Sequence, residues 1–114
     1  MDIIVFDIGG TWFRSALYSG DGEIVSFEKI KSINYKNNPD FNVNELQNKL
    51  CDYIISKSEA ICRRFPEKNI KYISISIGAA LNGYNGFIYN SGPLWGPNCK
   101  GFDLKQLCMN KTKL

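Results

Sequence analysis

An aspartate, two glycines and a threonine stand almost side by side near the start of this 114-residue chain, in Asp7-Ile8-Gly9-Gly10-Thr11. Adjacent glycines let a turn adopt positive φ and bring backbone amides close to an anion. A neighbouring carboxylate can hold magnesium, usually through water, because that ion dehydrates reluctantly. Phosphoryl transfer asks for these parts: amides and cations around the phosphates, a carboxylate near the metal, and a group that activates the acceptor hydroxyl. Gly9, Gly10 and Thr11 are therefore candidate ligands for nucleotide phosphate, and Asp7 is the candidate magnesium ligand. Two plainer readings stand beside this one. A carboxylate at a strand end can be a capping group, and Gly-Gly-Thr can be only a tight hairpin.

The elements that must position these residues are legible in the flanking sequence. Ile3-Ile4-Val5-Phe6 is an apolar run suited to a strand buried on both faces of a sheet. Trp12 to Tyr18 reads as a second strand, and Ser19-Gly20-Asp21-Gly22 as the turn that sends the chain back along Glu23 to Ile30. Three consecutive antiparallel strands are expected. Ser32 to Asn42 is polar and contains Asn37-Asn38-Pro39-Asp40, which reads as a surface connection with nothing catalytic in it.

Asn42 with Glu45 three residues on has the pattern of a capping box. Leu46, Leu50, Ile54, Ile61 and Phe65 then recur on one helical face until Pro66 stops the helix. Lys49, Lys57, Arg63 and Arg64 fall outside that stripe, as a solvated face would. Ile70 to Ile77 alternates Ile73, Ile75 and Ile77 with Tyr72, Ser74 and Ser76, the period of a strand. With a helix between it and the hairpin, a crossover returning parallel to the first strand is the economical topology, which makes the class α/β. Beyond Gly78 the chain is crowded with glycine, proline, aromatics and asparagine around a short strand at Phe87 to Tyr89, and reads as a ligand-binding edge. Asp103 to Asn110 is expected to be a last short helix, capped by Asp103.

Composition excludes several classes. Hydrophobic content of 44% and charged content of 22% are ordinary for a globular domain, and no apolar stretch approaches the ~20 residues of a membrane span. The net charge of +3 is modest, with only Lys29/Lys31 and Arg63/Arg64 clustered, so nucleic acid is not an expected partner. Cys51, Cys62, Cys99 and Cys108 form no C-x-x-C pair and there is no histidine to complete a mixed zinc site, so free thiols are expected. Met1 leads straight into a strand without a secretory signal, which points to the cytoplasm and leaves Asn110-Lys111-Thr112 a chance glycosylation triplet.

Asp7-Ile8-Gly9-Gly10-Thr11, followed by Arg14, Ala16 and Leu17, resembles the first phosphate motif of the ROK family of sugar kinases and repressors and of the related bacterial glucokinases. These belong to the actin, Hsp70 and hexokinase superfamily, and the resemblance implies a ribonuclease-H-like, actin-like ATPase domain: three antiparallel strands, a helix and a parallel strand. A second resemblance runs from Ile75 to Trp95. It implies substrate contacts from the small-residue loop Gly78-Ala79-Ala80, a glycine turn at Asn82-Gly83, a sugar-hydroxyl ligand at Asn90 and a wall at Trp95. Ala79 and Ala80 stand where the family usually has proline.

By this resemblance residues 1–114 are the N-terminal lobe of a longer, two-lobed protein that binds a hexose or amino sugar and ATP with Mg2+. The aspartate that acts as general base is implied downstream of Leu114, as are a second phosphate loop and the zinc cluster of many members. No catalytic base is expected within residues 1–114, so the lobe alone is expected to be inactive. Its partner is then the second lobe or another copy of itself, and exposed apolar surface is expected where that partner docks. A non-catalytic sugar-sensing or partner-binding remnant, and phosphotransfer to acetate or polyphosphate, are the alternative readings.

Overall fold

The computed structural model describes residues 1–81, 85, 87–96, 101–104 and 106. The chain folds as β1 (Asp2–Ile8), β2 (Trp12–Tyr18), β3 (Ile24–Lys31), α1 (Val43–Arg64), β4 (Ile70–Ile77), β5 (Ala80–Leu81), β6 (Phe87–Asn90), α2 (Gly92–Trp95) and β7 (Phe102–Asp103). β1 to β4 form one mixed sheet in the order β3-β2-β1-β4, with β1 antiparallel to β2 and parallel to β4. The expected α/β class, hairpin order and crossover all hold. β5, β6 and β7 make a smaller antiparallel sheet.

α1 begins as its sequence dictates. The Asn42 side chain accepts from the Glu45 N–H at 2.8 Å and Glu45 reaches back to the Asn42 N–H at 3.3 Å, so two helix-end donors are satisfied reciprocally. At the other end the Phe65 N–H closes on the Ile61 carbonyl before Pro66, and the exposed Arg64 guanidinium lies 5.0 Å from the Phe65 ring centre. The stripe Leu46, Leu50, Cys51, Ile54 and Ile61 packs with Ile4, Phe6 and Ile8 of β1 and Phe13 and Leu17 of β2. Tyr53 adds ring contacts to Phe6 and Phe13 at centroid distances of 5.7 and 5.3 Å. Burial raises the Tyr53 hydroxyl above its ordinary pKa, against the opposing influence of a hydrogen bond with Ser15.

Only one face of β1 is covered among the described residues, contrary to the expectation of burial on both. The opposite face carries three rows set by strand register: Tyr72-Ile3-Tyr18-Ile24, Ser74-Val5-Ala16-Phe27 and Ser76-Asp7-Arg14-Lys29. Ile24, Phe27 and Tyr72 are more than half exposed at 57%, 55% and 60%. Cys51 is buried as expected, whereas Cys62 is exposed. Asp103 accepts from the Gln106 N–H at 2.9 Å, the capping contact expected at the start of the last helix. Asn82, Gly83, Cys99, Cys108 and the 110–112 triplet lie outside the described residues.

Candidate functional site

β1 and β4 run parallel and end together, Ile8 paired with Ile77, and the Gly78 N–H donates to the Ile8 carbonyl at 3.0 Å. Crevices at the carboxyl ends of parallel strands are where ligands bind in open α/β sheets. The Gly9-Gly10-Thr11 turn that joins β1 to β2 stands at this edge. The Gly9 N–H closes the turn on the Trp12 carbonyl at 3.1 Å. The turn's own carbonyls are held by the segment after β3. Ser32 Oγ donates to Gly9 O at 2.8 Å, Asn34 Nδ2 to Gly10 O at 2.8 Å, and the Ser32 N–H to Thr11 O at 3.0 Å. The N–H groups of Gly10 and Thr11 have no hydrogen-bond partner among the described residues.

The glycines serve a different purpose from the one expected. Among the described residues only Gly22 and Gly96 have positive φ. Gly10 is closely approached: a Cβ there would stand 3.2 Å from Cβ of Pro93, a tight contact that Pro93 would have to yield to by a few tenths of an ångström. Gly22 does take the positive φ, +89°, that the β2–β3 turn requires.

Asp7 points to the open sheet face and accepts from Arg14 Nη1 at 3.2 Å across the β1–β2 pair. Both side chains are about half exposed, so the pair contributes little to stability. Lys29, one strand further, lies 4.4 Å from the Trp12 ring centre. No group of three or more His, Cys, Asp or Glu side chains is gathered among the described residues. A single accessible carboxylate nevertheless suits a magnesium ion that keeps its waters and is held mainly by phosphate oxygens.

The remaining candidates divide. Among the described residues a Cβ added at Gly78 would meet only the Ile8 carbonyl, at 3.9 Å, and the Gly78 carbonyl accepts from Ser91 Oγ at 2.8 Å. The Ala79 N–H turns back to Ile77 O at 2.9 Å, and Ala80 begins β5. Asn90 ends β6, but its side chain and that of Ala80 lie outside the described residues. Trp95 is only 3% exposed and belongs to the core cluster, so it offers little surface to a ligand.

Sequence reasoning missed the Ser32–Asn38 segment. It is no passive surface connection: Ser32 and Asn34 are 2% and 3% exposed. Asn34 Oδ1 accepts from the Lys36 and Asn37 N–H groups at 3.0 and 2.9 Å, and its carbonyl accepts twice from Asn38. The Tyr35 N–H then donates to Leu94 O at 2.9 Å, and the Tyr35 ring lies where a Cβ on Gly96 would be 3.2 Å away. The density of asparagines, which favour turns through their own side chains, was the available signal.

No family model matches the chain. It is 31% identical over 102 residues to the 2-epi-5-epi-valiolone 7-kinase of an Actinoplanes species, an alignment covering 90% of this chain and 26% of that enzyme. A crystallised ROK family transcriptional regulator, a homolog of the E. coli MLC protein, superposes with a TM-score of 0.72 at 16% identity over 99% of this chain and 26% of its own. The chain has the fold of the ROK family. A ROK family glucokinase from Streptomyces griseus, in complex with glucose and AMPPNP, likewise superposes with a TM-score of 0.67 at 15% identity, covering 100% of this chain and 31% of its own. The chain thus spans about a quarter of the length of the curated relative it matches. Among the described residues no helix is long and apolar enough to cross a membrane.

Proposed function

We propose that residues 1–114 are the N-terminal phosphate- and sugar-binding lobe of a cytoplasmic, ATP-dependent sugar kinase that transfers the γ-phosphoryl group to a hydroxyl of a hexose-type sugar. The observation that carries this reading is the Gly9-Gly10-Thr11 turn. Its carbonyls are tied down, and two of its amides have no partner among the described residues, at the shared end of two parallel strands. The similarity to a kinase at 31% identity supports the same reaction class.

In this reading the Gly10 and Thr11 amides bind phosphate oxygens, and the Thr11 hydroxyl can join them. Asp7 is the residue that would hold a hydrated magnesium, which when bound supplies positive charge against the developing negative charge on the phosphates. Gly78 and Ala79 leave the backbone accessible to the sugar, and Asn90 is assigned to its hydroxyls. The sugar hydroxyl oxygen attacks the γ-phosphorus, the bond to the ADP oxygen breaks, and the hydroxyl proton passes to a carboxylate downstream of Leu114. A positioned base is typically worth ~10²–10⁴ in rate, so residues 1–114 alone are inactive. The sheet face bearing Ile24, Phe27 and Tyr72 then docks further chain of the same protein or another copy.

The test is ATP turnover by the intact gene product across a panel of hexoses, amino sugars and cyclitols, with Asn90→Ala in parallel. Stimulation by one of these acceptors, with sugar affinity but not nucleotide affinity lowered in the variant, is the expected outcome. Sugar binding with no turnover would instead favour a sugar-sensing regulator; one of the matching structures is named a transcriptional regulator. Turnover only with acetate or polyphosphate would move the reaction to another acceptor.

A further inference from the structure

We infer that Ser32 and Asn34 are positioning residues for phosphate binding: by holding the carbonyls of Gly9 and Gly10 they turn the N–H groups of Gly10 and Thr11 toward the incoming anion. The inference rests on the functional reading above and adds residues to it that neither the motif nor the comparisons assign.

The argument is one of peptide geometry. The described chain has no cis peptide bond. In a trans peptide the C=O of one residue and the N–H of the next lie in one plane and point in opposite directions. Ser32 Oγ at 2.8 Å from Gly9 O therefore fixes the Gly10 N–H away from Ser32, and Asn34 Nδ2 at 2.8 Å from Gly10 O fixes the Thr11 N–H away from Asn34. Without these contacts a Gly-Gly turn has the freedom to rotate either peptide plane and present a carbonyl oxygen, which repels phosphate, in place of an N–H. The Gly9 N–H is already committed to Trp12 O and is excluded from the anion site.

The clamp is itself rigid. Asn34 is nearly fully buried and uses both ends of its amide, Oδ1 toward the Lys36 and Asn37 N–H groups and Nδ2 toward Gly10. The Ser32 carbonyl accepts from Asn37 Nδ2 at 2.9 Å while its N–H holds Thr11 O. A buried amide oriented by three bonds cannot turn over without breaking them, so the Nδ2 donor stays aimed at the loop.

The experiment needs no variant to begin. The intact gene product, labelled with ¹⁵N at glycine and threonine, is titrated with inorganic pyrophosphate and magnesium and its amide resonances are followed. Large shifts at Gly10 and Thr11 with Gly9 almost unmoved are expected. Shifts dominated by Gly9 would overturn the inference while leaving phosphate binding intact, and no shift at any of the three would overturn both the inference and the kinase reading.

Variants then separate positioning from mere folding. Ser32→Ala and Asn34→Asp, the latter keeping the acceptor oxygen and replacing the donor to Gly10, should each lower the melting temperature, because both sites are buried, and in the folded protein weaken AMPPNP binding about tenfold while sugar affinity stays near wild type. Ser32→Thr, which keeps the hydroxyl, should restore nucleotide affinity. Wild-type AMPPNP affinity in folded Ser32→Ala and Asn34→Asp proteins would overturn the assignment.

Discussion

The two faces of the four-stranded sheet are built from the same strands, yet they do different things. On one face Ile4, Phe6, Ile8, Phe13 and Leu17 meet the stripe of α1 and are fully buried. On the other, the rows run from apolar at the start of β1 (Tyr72, Ile3, Tyr18, Ile24) to charged and hydroxylated at its end (Ser76, Asp7, Arg14, Lys29). The covered face is closed by local means, a capped helix laid back over a hairpin. The open face is graded toward the Gly9-Gly10-Thr11 turn, with its apolar end left to whatever else packs there. A core-facing set and a set that turns from apolar to charged thus alternate along β1 by the two-residue period of a strand.

The sharpest way to break this division is Phe6→Ala. Phe6 is fully buried against Tyr53, and its truncation should cost about 3–5 kcal/mol, a large part of the stability of a domain this size. Urea unfolding would register it, and a loss below about 1 kcal/mol would mean that the covered face is not the stabilising one. Next, Asp7→Asn on the open face should leave unfolding and sugar affinity near wild type while lowering phosphoryl transfer in the intact gene product by about 10²-fold. Unchanged turnover would remove Asp7 from the metal.

The apolar end of the open face gives a smaller effect. Ile24→Ser with Phe27→Ser should alter the stability of residues 1–114 by no more than about 0.5 kcal/mol, since both side chains are more than half exposed, while reducing self-association in sedimentation. The smallest effect belongs to the rim of the covered face, where Lys57 of α1 reaches Glu28 of β3. Its hydrogen bond, and then its charge, hold the Glu28 carboxyl below the ordinary value of 4.5. A carboxyl lowered in the folded state stabilises above the unfolded value and loses that contribution as pH falls through the folded one. Glu28→Gln should therefore cost a few tenths of a kcal/mol at neutral pH and nothing in acid, where the two unfolding curves converge.

Much of the covered face was legible in the sequence. The limits of β2 and β4, the capping box and the helical stripe follow from periodicity and from contacts three or four residues apart. The Gly9-Gly10-Thr11 turn was legible as composition but not as geometry. Pro93 packs close on Gly10, and the turn's carbonyls are held from Ser32 and Asn34. Those partners are fixed by tertiary folding, and polar residues that bury themselves on a distant backbone look, in sequence, like any surface loop. The exposed face of β1 was misjudged for a related reason: an apolar run records that a surface will be covered, not which residues will cover it.

The parallel pairing of β1 with β4 also orders events in time. The bond from the Asn69 N–H to Asp2 Oδ2 joins residues 67 apart, whereas β1, β2 and β3 pair through short turns. Closing the longer loop carries the greater entropic penalty, and contacts of large sequence separation form slowly. The hairpin, with its turn amides already oriented by Ser32 and Asn34, is thus expected to assemble before β4 docks and before Pro93 reaches Gly10. On a ribosome the Gly9-Gly10-Thr11 turn would take its shape while the segment after β4 was still being synthesised.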